Sequence, residues 1–136
     1  MSEKSGAPAI SLTFRHPSAD LSEIPEMLGM KASRIWRVGD PVGTLSGRIL
    51  EGVRAESYCS FRIPSVGGEF FFDAIVSFHS HAKEMLSLVT SSVAGVSAGY
   101  HVTVDRECDM AGILDFESMK LIGGDNFYVG IEVLFE

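Results

Sequence analysis

Apolar and polar residues alternate along four segments of the chain. After eight small or polar residues, which we expect to form a flexible N-terminus over 1–8, Ile10, Leu12 and Phe14 alternate with polar neighbours. A period of two is typical of a strand that buries one of its faces. The same alternation recurs at about residues 54–63, 100–106 and 127–135. The pattern therefore predicts four half-buried strands.

Helical signals lie between these strands. Ser22 is a suitable N-cap, and Gly29 a suitable stop, for a short helix over about residues 23–28. In segment 69–93 the apolar residues recur three and four positions apart, which predicts a longer amphipathic helix. Asp115 is expected to cap a third, short helix. The predicted element order is β-α-β-α-β-α-β.

The polar positions of the strands decide the fold class. Strands that are apolar on one face favour a sheet covered by helices on one side, rather than a parallel sheet buried on both. Residues 30–53, which glycine and proline interrupt, are predicted to be a long connection that carries Trp36. We expect a single α+β domain over residues 9–136, with a mostly antiparallel sheet of about four strands, ferredoxin-like or a variant of it.

Composition excludes several classes of protein. Of the 136 residues 46% are apolar, which is enough for one hydrophobic core and too many for a disordered chain. Two cysteines are too few for the disulfide framework of a small secreted domain. We see neither an apolar signal segment nor a run long enough to span a membrane, so we expect a soluble, cytoplasmic protein without a membrane partner.

Charge is distributed unevenly along the chain, whose net charge is −7. The first 68 residues hold eight basic and seven acidic side chains, whereas the last 68 hold three basic and eleven acidic ones. An acidic protein binds nucleic-acid phosphates poorly, so we do not expect a nucleic-acid partner. The exception is a cluster of basic residues around Trp36, which would stack a base, hold an anion or cover a core tryptophan: Lys31, Arg34 and Arg37.

Carboxylates are concentrated between residues 105 and 117, at Asp105, Glu107, Asp109, Asp115 and Glu117. Such a cluster is a solvated loop, a docking surface for a basic partner or an irregular cation site. It does not match the calcium-loop template, whose central glycine and final glutamate are missing. Because no coherent catalytic set accompanies it, our leading hypothesis is a non-catalytic protein-interaction module of immunity or regulatory type. The apolar last strand also suggests a homodimer.

The polar faces of the strands offer a second candidate surface. We expect the helices to cover the side of the sheet that carries Ile10, Phe61, Val102 and Ile131. The opposite side would then present Thr13, Arg15, Tyr58, Arg62, His101, Asp105, Tyr128 and Glu132. There Arg15 or Arg62 would anchor an anion, with His101 as general acid or base. The alternative hypothesis is a small-ligand-binding protein or enzyme, and an ordinary solvated sheet face is equally expected.

Histidine and cysteine positions predict neither a metal site nor a nucleophile. His79 and His81 are two residues apart on the predicted helix, where their side chains diverge by roughly 200°. We therefore expect one at an interface and one in solvent. Cys59 is on the apolar side of its strand and Cys108 lies between two carboxylates, and both settings oppose the thiolate. We expect no metal and no cofactor.

A series of short motifs marks the first half of the chain. Asp20-Leu21-Ser22-Glu23-Ile24 is followed by Met27-Leu28-Gly29 and then by Arg34, Trp36 and Gly39-Asp40. This series, with the later order of strand, long helical segment, strand, short helix and apolar strand, resembles domain-of-unknown-function family 4279, small bacterial α+β proteins. The resemblance implies an α+β fold and a bacterial origin. It implies no reaction, so it assigns no site residue.

Overall fold

The computed structural model of the protein describes residues 8–43, 49–64, 70–105 and 115–134. Within these residues the chain forms seven strands and three helices. In chain order they are β1 (Ala9–His16), α1 (Ile24–Leu28), β2 (Arg34–Trp36), β3 (Pro41–Gly43), β4 (Ile49–Val53), β5 (Ser57–Ile63), α2 (Phe71–Ser92), β6 (Ser97–Asp105), α3 (Phe116–Gly124) and β7 (Tyr128–Leu134). Residues 1–7, predicted to be flexible, lie outside this description.

Five strands form the main sheet, in the order β2-β5-β1-β6-β7. Neighbouring strands are antiparallel except β6 and β7, which are parallel. Parallel neighbours need a crossover connection, and the segment that contains α3 supplies it. β3 and β4 form a separate two-stranded sheet. The first strand of the chain is therefore central in the main sheet, and its Phe14 lies between Cys59 of β5 and Ala98 of β6.

The hydrophobic core lies between one face of the main sheet and the helices. Ile10 and Phe14 of β1 are completely buried, as the period-two pattern predicts. They belong to one cluster with apolar residues of all three helices, among them Ile24, Ile75 and Ile122. The predicted α+β class and the mostly antiparallel sheet are confirmed.

The number and order of the strands differ from the prediction. β2, β3 and β4 lie in segment 30–53, which the sequence predicts to be a connection. β2 and β3 have three residues each, less than two periods of alternation, so no hydrophobic pattern identifies them. β2 adds an outer strand beside β5, and β6 and β7 pair in parallel. The predicted count of about four strands and the predicted element order β-α-β-α-β-α-β are therefore wrong.

The helix ends show which capping signals the chain uses. Asp115 caps α3, because its Oδ1 accepts a hydrogen bond from the Ser118 backbone N–H at 2.8 Å. Gly29 ends α1 in the left-handed region, with φ at 66°. Both features are as predicted. The predicted Ser22 cap is wrong, because α1 begins after Glu23, whose side chain forms no capping hydrogen bond.

The long helix α2 packs on β5 and β6. It begins at Phe71 and ends at Ser92, close to the predicted range 69–93. Its buried residues, such as Ile75 and Val89, recur along one face, as the amphipathic pattern requires. Within the described ranges, no helix is both long and apolar enough to cross a membrane.

β7 is an outer strand, and this position changes the burial of its side chains. The register places Ile131 beside Val102, on the side of the sheet that the helices cover. Ile131 therefore lies on the predicted side of the sheet, but it is 52% exposed and does not belong to the buried core. Within the described residues β7 pairs only with β6, and an edge strand leaves part of its apolar surface open to solvent.

Candidate functional site

The candidate site lies on the face of the main sheet that the helices leave open. Ser11 of β1 is opposite Arg62 of β5 on one side and His101 of β6 on the other. Directly opposed residues of antiparallel strands point to the same face, so these three side chains share it. Arg62 and His101 are both exposed, as predicted. The strand register thus places two basic side chains on either side of a small serine.

A groove with a volume of about 300 Å³ runs across this face. The exposed side chains of Arg34, Arg62 and His101 form its rim. Short side chains form its floor, where Thr13 and Ser60 are only 2% and 3% exposed. Further lining comes from Ser11, Ser33, Tyr58 and Thr103. The groove therefore combines a basic rim with a floor rich in hydroxyl groups.

The segment before β2 holds Arg34 against the groove. The Ser33 backbone N–H donates to the Ser60 carbonyl oxygen at 2.8 Å, and the Ser33 hydroxyl donates to the same oxygen at 3.1 Å. The two serine hydroxyls are 3.2 Å apart. Arg34 itself is in register with Ser60, which places it on the open face. The hydrogen bonds of Ser33 thus fix the start of β2 at the edge of the groove.

The positive charge of the groove rim is not neutralised by the described residues. Among them neither Arg34 nor Arg62 forms an ion pair. Arg15, on the same face, instead pairs with Glu56 at 3.7 Å. Guanidinium N–H groups are strong donors to carboxylate and phosphate oxygens, and serine and threonine hydroxyls add donors that rotate to suit a ligand. The groove is chemically suited to an oxyanion.

A stack of aromatic and arginine side chains stands beside the groove. Trp36 and Tyr58 stack with their ring centroids 4.3 Å apart and an interplanar angle of 11°. The guanidinium carbon of Arg54 is 3.7 Å from the Trp36 ring centroid, and that of Arg15 is 5.5 Å from the Tyr58 ring centroid. These cation–π contacts add to the stacking. Both faces of the Trp36 indole are occupied, so the stack orders the groove wall instead of offering the indole to a ligand.

The groove brings together part of the predicted open-face set. Tyr58, Arg62 and His101 line it, whereas Arg15 is in the neighbouring stack. Arg34 was not among the residues predicted for this face, because its segment was expected to be a connection. The signal that points to it is the group of basic residues around Trp36 in the sequence.

The predicted acidic surface falls largely outside the described residues. Asp105 ends β6, but its side chain lies outside the description. Glu107 and Asp109 also lie outside it. Asp115 is described, and its carboxylate caps α3, which lowers its pKa through the hydrogen bond from Ser118. One of the five carboxylates thus has a local structural role.

A chain of hydrogen bonds crosses the core on the covered side of the sheet. His79 is fully buried; its Nδ1 lies 2.7 Å from Tyr100 Oη and its Nε2 lies 2.8 Å from Asp125 Oδ2. Asp125 also accepts a hydrogen bond from Lys83 Nζ at 3.0 Å. The hydrogen bond from His79 is the largest cause of the lowered pKa of Asp125, whereas burial raises the pKa of Tyr100.

The carboxylate determines where the protons of this network lie. Ionised Asp125 can only accept, so Nε2 of His79 donates to it. The other ring nitrogen, Nδ1, is the hydrogen-bond partner of the Tyr100 hydroxyl. His79 and Tyr100 are both 0% exposed, so neither of these two side chains is open to a ligand. It joins α2 to β6 and to the junction between α3 and β7, and its role is structural.

The remaining candidate groups are isolated from one another. His81 is exposed, and its Nδ1 donates to the Ser77 carbonyl oxygen of its own helix at 2.8 Å. Cys59 is fully buried, and burial raises the pKa of its thiol to about 12, which disfavours the nucleophilic thiolate. Cys108 lies outside the described residues. Across the described part of the chain, no three His, Cys, Asp or Glu side chains are placed to hold a metal ion.

Comparison with known proteins adds no assignment to this geometry. The chain matches no family model, no curated protein and no solved structure. The resemblance to domain-of-unknown-function family 4279 therefore stays a prediction.

Proposed function

We propose that the protein binds a small oxyanion, a phosphate-bearing or carboxylate-bearing molecule, in the open-face groove. The observation that carries this proposal is the pair Arg34 and Arg62, which form no ion pair within the described residues and stand above a floor of hydroxyl side chains. The volume of about 300 Å³ suits a small metabolite rather than a macromolecule.

The energetics of such a site depend on the rim. A hydrogen bond to a charged group is worth about 1.5–3 kcal/mol net, so two guanidinium groups supply a large part of the affinity expected for a small ligand. His101 lines the same groove. Ser11, Ser33 and Thr103 supply the more accessible hydroxyl groups of the lining, whereas Thr13 and Ser60 close the floor beneath them.

The other functional hypotheses stay predictions. The protein-interaction module rests on an acidic surface whose central residues, Glu107 and Asp109, lie outside the described part of the chain. A role for His101 as general acid or base, a protein partner, cytoplasmic location and a bacterial origin stay predictions as well. The groove supports ligand binding, and it does so on residues whose positions are described.

Isothermal titration calorimetry tests the proposal with inorganic phosphate and with citrate as probes. We expect at least one probe to bind, and Arg62→Gln and Arg34→Gln each to weaken that binding by about tenfold or more. Arg37→Gln is the matched control, because Arg37 is exposed, close in sequence to Arg34 and absent from the groove lining. Absence of binding by both probes, or equal weakening by Arg37→Gln and Arg62→Gln, would refute the proposal.

A further inference from the structure

The outer strand β7 is poorly protected against pairing with another strand. Proteins usually guard an exposed edge with charges, prolines or bulges. β7 contains one charged residue, Glu132, and no proline among its seven residues. Its exposed apolar side chains include Tyr128, Ile131 and Leu134. Within the described residues no other strand pairs with its free side.

We infer that two copies of the chain associate by antiparallel pairing of their β7 strands, with the twofold axis at Ile131. The pairing would join two five-stranded sheets into one continuous sheet of ten strands. A twofold contact of this kind closes on itself, because each edge is used once. This closure favours a second copy of this protein as the occupant of the β7 edge.

The register follows from the sequence of the strand. With the axis at Ile131, all seven residues of β7 are paired, and Ile131 faces the partner's Ile131. Val129 then lies opposite the partner's Val133, so apolar residues meet on the same face as Ile131. An axis at Glu132 would place two carboxylates opposite each other. An axis at Gly130 would leave Leu134 without a partner.

The same register brings a carboxylate to the groove. The partner's Glu132 would lie opposite Gly130, which is itself beside His101 of β6. A Cβ added at Gly130 would be 3.4 Å from atoms of the His101 imidazole, so the ring already lies over this glycine. With no side chain between them, the partner's Glu132 accepts a hydrogen bond from one ring nitrogen of His101. The other ring nitrogen is then held towards the groove. A role for that nitrogen in binding an anion rests on the proposed function.

Sedimentation equilibrium on the full chain tests the pairing. We expect the wild type to be a dimer and Ile131→Lys to raise the dimer dissociation constant by roughly thirtyfold or more, as for a central interface residue. Leu88→Lys is the matched control, because Leu88 on α2 is 52% exposed, as Ile131 is. Both positions are exposed, so both variants should fold, which circular dichroism checks. A monomeric wild type at high micromolar concentration, or equal weakening by Leu88→Lys, would overturn the inference.

Cross-linking tests the register. Directly opposed residues of antiparallel strands have Cα atoms about 4.5 or 5.5 Å apart, within the range of about 4.4–6.8 Å that a disulfide bridges. Under mild oxidation, Ile131→Cys should therefore give a covalent dimer, and Leu88→Cys should not. A dimer in which Ile131→Cys remains uncross-linked would overturn the axis at Ile131.

The ring nitrogens of His101 report on the partner's Glu132 by ¹⁵N NMR. We expect Glu132→Gln to shift these resonances in the dimer and to leave them unchanged in the monomeric Ile131→Lys background. Equal shifts in both backgrounds would overturn the contact. A dimer that binds neither phosphate nor citrate would refute the proposed function and leave the strand pairing intact. A monomer that binds phosphate or citrate would refute the strand pairing and leave the proposed function intact.

Discussion

Replacing His79 by leucine tests the buried hydrogen-bond network. The substitution His79→Leu keeps an apolar side chain of similar size beside Phe127 but removes both hydrogen bonds of the ring. Tyr100 is 0% exposed, so its hydroxyl is left buried without a partner, at a cost of about 1–3 kcal/mol. Asp125 is 29% exposed at its side chain and keeps Lys83, so its loss is smaller. We expect the free energy of unfolding to fall by about 2–4 kcal/mol.

A second substitution separates the orphaned hydroxyl from the rest of the loss. Adding Tyr100→Phe to His79→Leu removes the unpartnered group, and replacing both members of a buried pair by apolar groups is often nearly neutral. The double variant should therefore be more stable than His79→Leu by about 1–2 kcal/mol, although Tyr100→Phe alone is destabilising.

Urea denaturation measures the free energy of unfolding of the wild type, both single variants and the double variant, which together form a double-mutant cycle. The control is the m-value, which should stay constant if all four proteins unfold in the same way. Additive losses from the two substitutions, within about 0.5 kcal/mol, would show that the hydrogen bond between His79 and Tyr100 contributes no coupling and would refute the reasoning.

Two further predictions concern the core and the response to acid. Leu86→Ala should lower the free energy of unfolding by about 2–5 kcal/mol, because Leu86 is 1% exposed. Leu88→Ala on the same helix should change the free energy of unfolding by less than about 0.5 kcal/mol, because Leu88 is 52% exposed. Similar losses in both variants would contradict the placement of α2. The hydrogen bond from His79 is the main reason why the pKa of Asp125 lies below its ordinary value of 3.8. The Asp125 carboxylate therefore stabilises the folded state fully at pH values above 3.8. This stabilisation is lost as the pH falls through the lower pKa of the folded state. Chemical denaturation between pH 5 and pH 2 should therefore show a shallower loss of stability for Asp125→Asn than for the wild type, and identical slopes would contradict this assignment.

The parts of the fold that the sequence predicts are those with several periods of a repeating pattern. Ile10 and Phe14 mark a strand of eight residues, and the apolar positions of α2 repeat over 22 residues. β2 has three residues, of which Arg34 and Trp36 face the groove side and only Ile35 faces away. A single alternation cannot be told from a loop, so the outer strand was missed.

The candidate site was predictable to the extent that it depends on strand alternation. Arg62 and His101 are polar residues on strands with clear patterns, so their shared face follows from the period of two. Arg34 required knowledge that β2 pairs with β5. Such a pairing depends on hydrogen bonds between distant segments, as between Ser33 and Ser60, and no local pattern encodes it. The network of His79 with Tyr100 and Asp125 was missed for the same reason.

The central position of β1 has a consequence for how the chain reaches its native state. β1 is synthesised before the strands on its two sides, so Phe14 can pair only after Cys59 and then Ala98 have emerged. Until then, both hydrogen-bonding edges of a strongly apolar strand are unpaired. Contacts between residues so far apart in sequence slow folding, because the entropy of closing long loops is lost before the contacts form. We therefore expect folding in milliseconds or longer, with the nascent N-terminal strand in need of protection during synthesis.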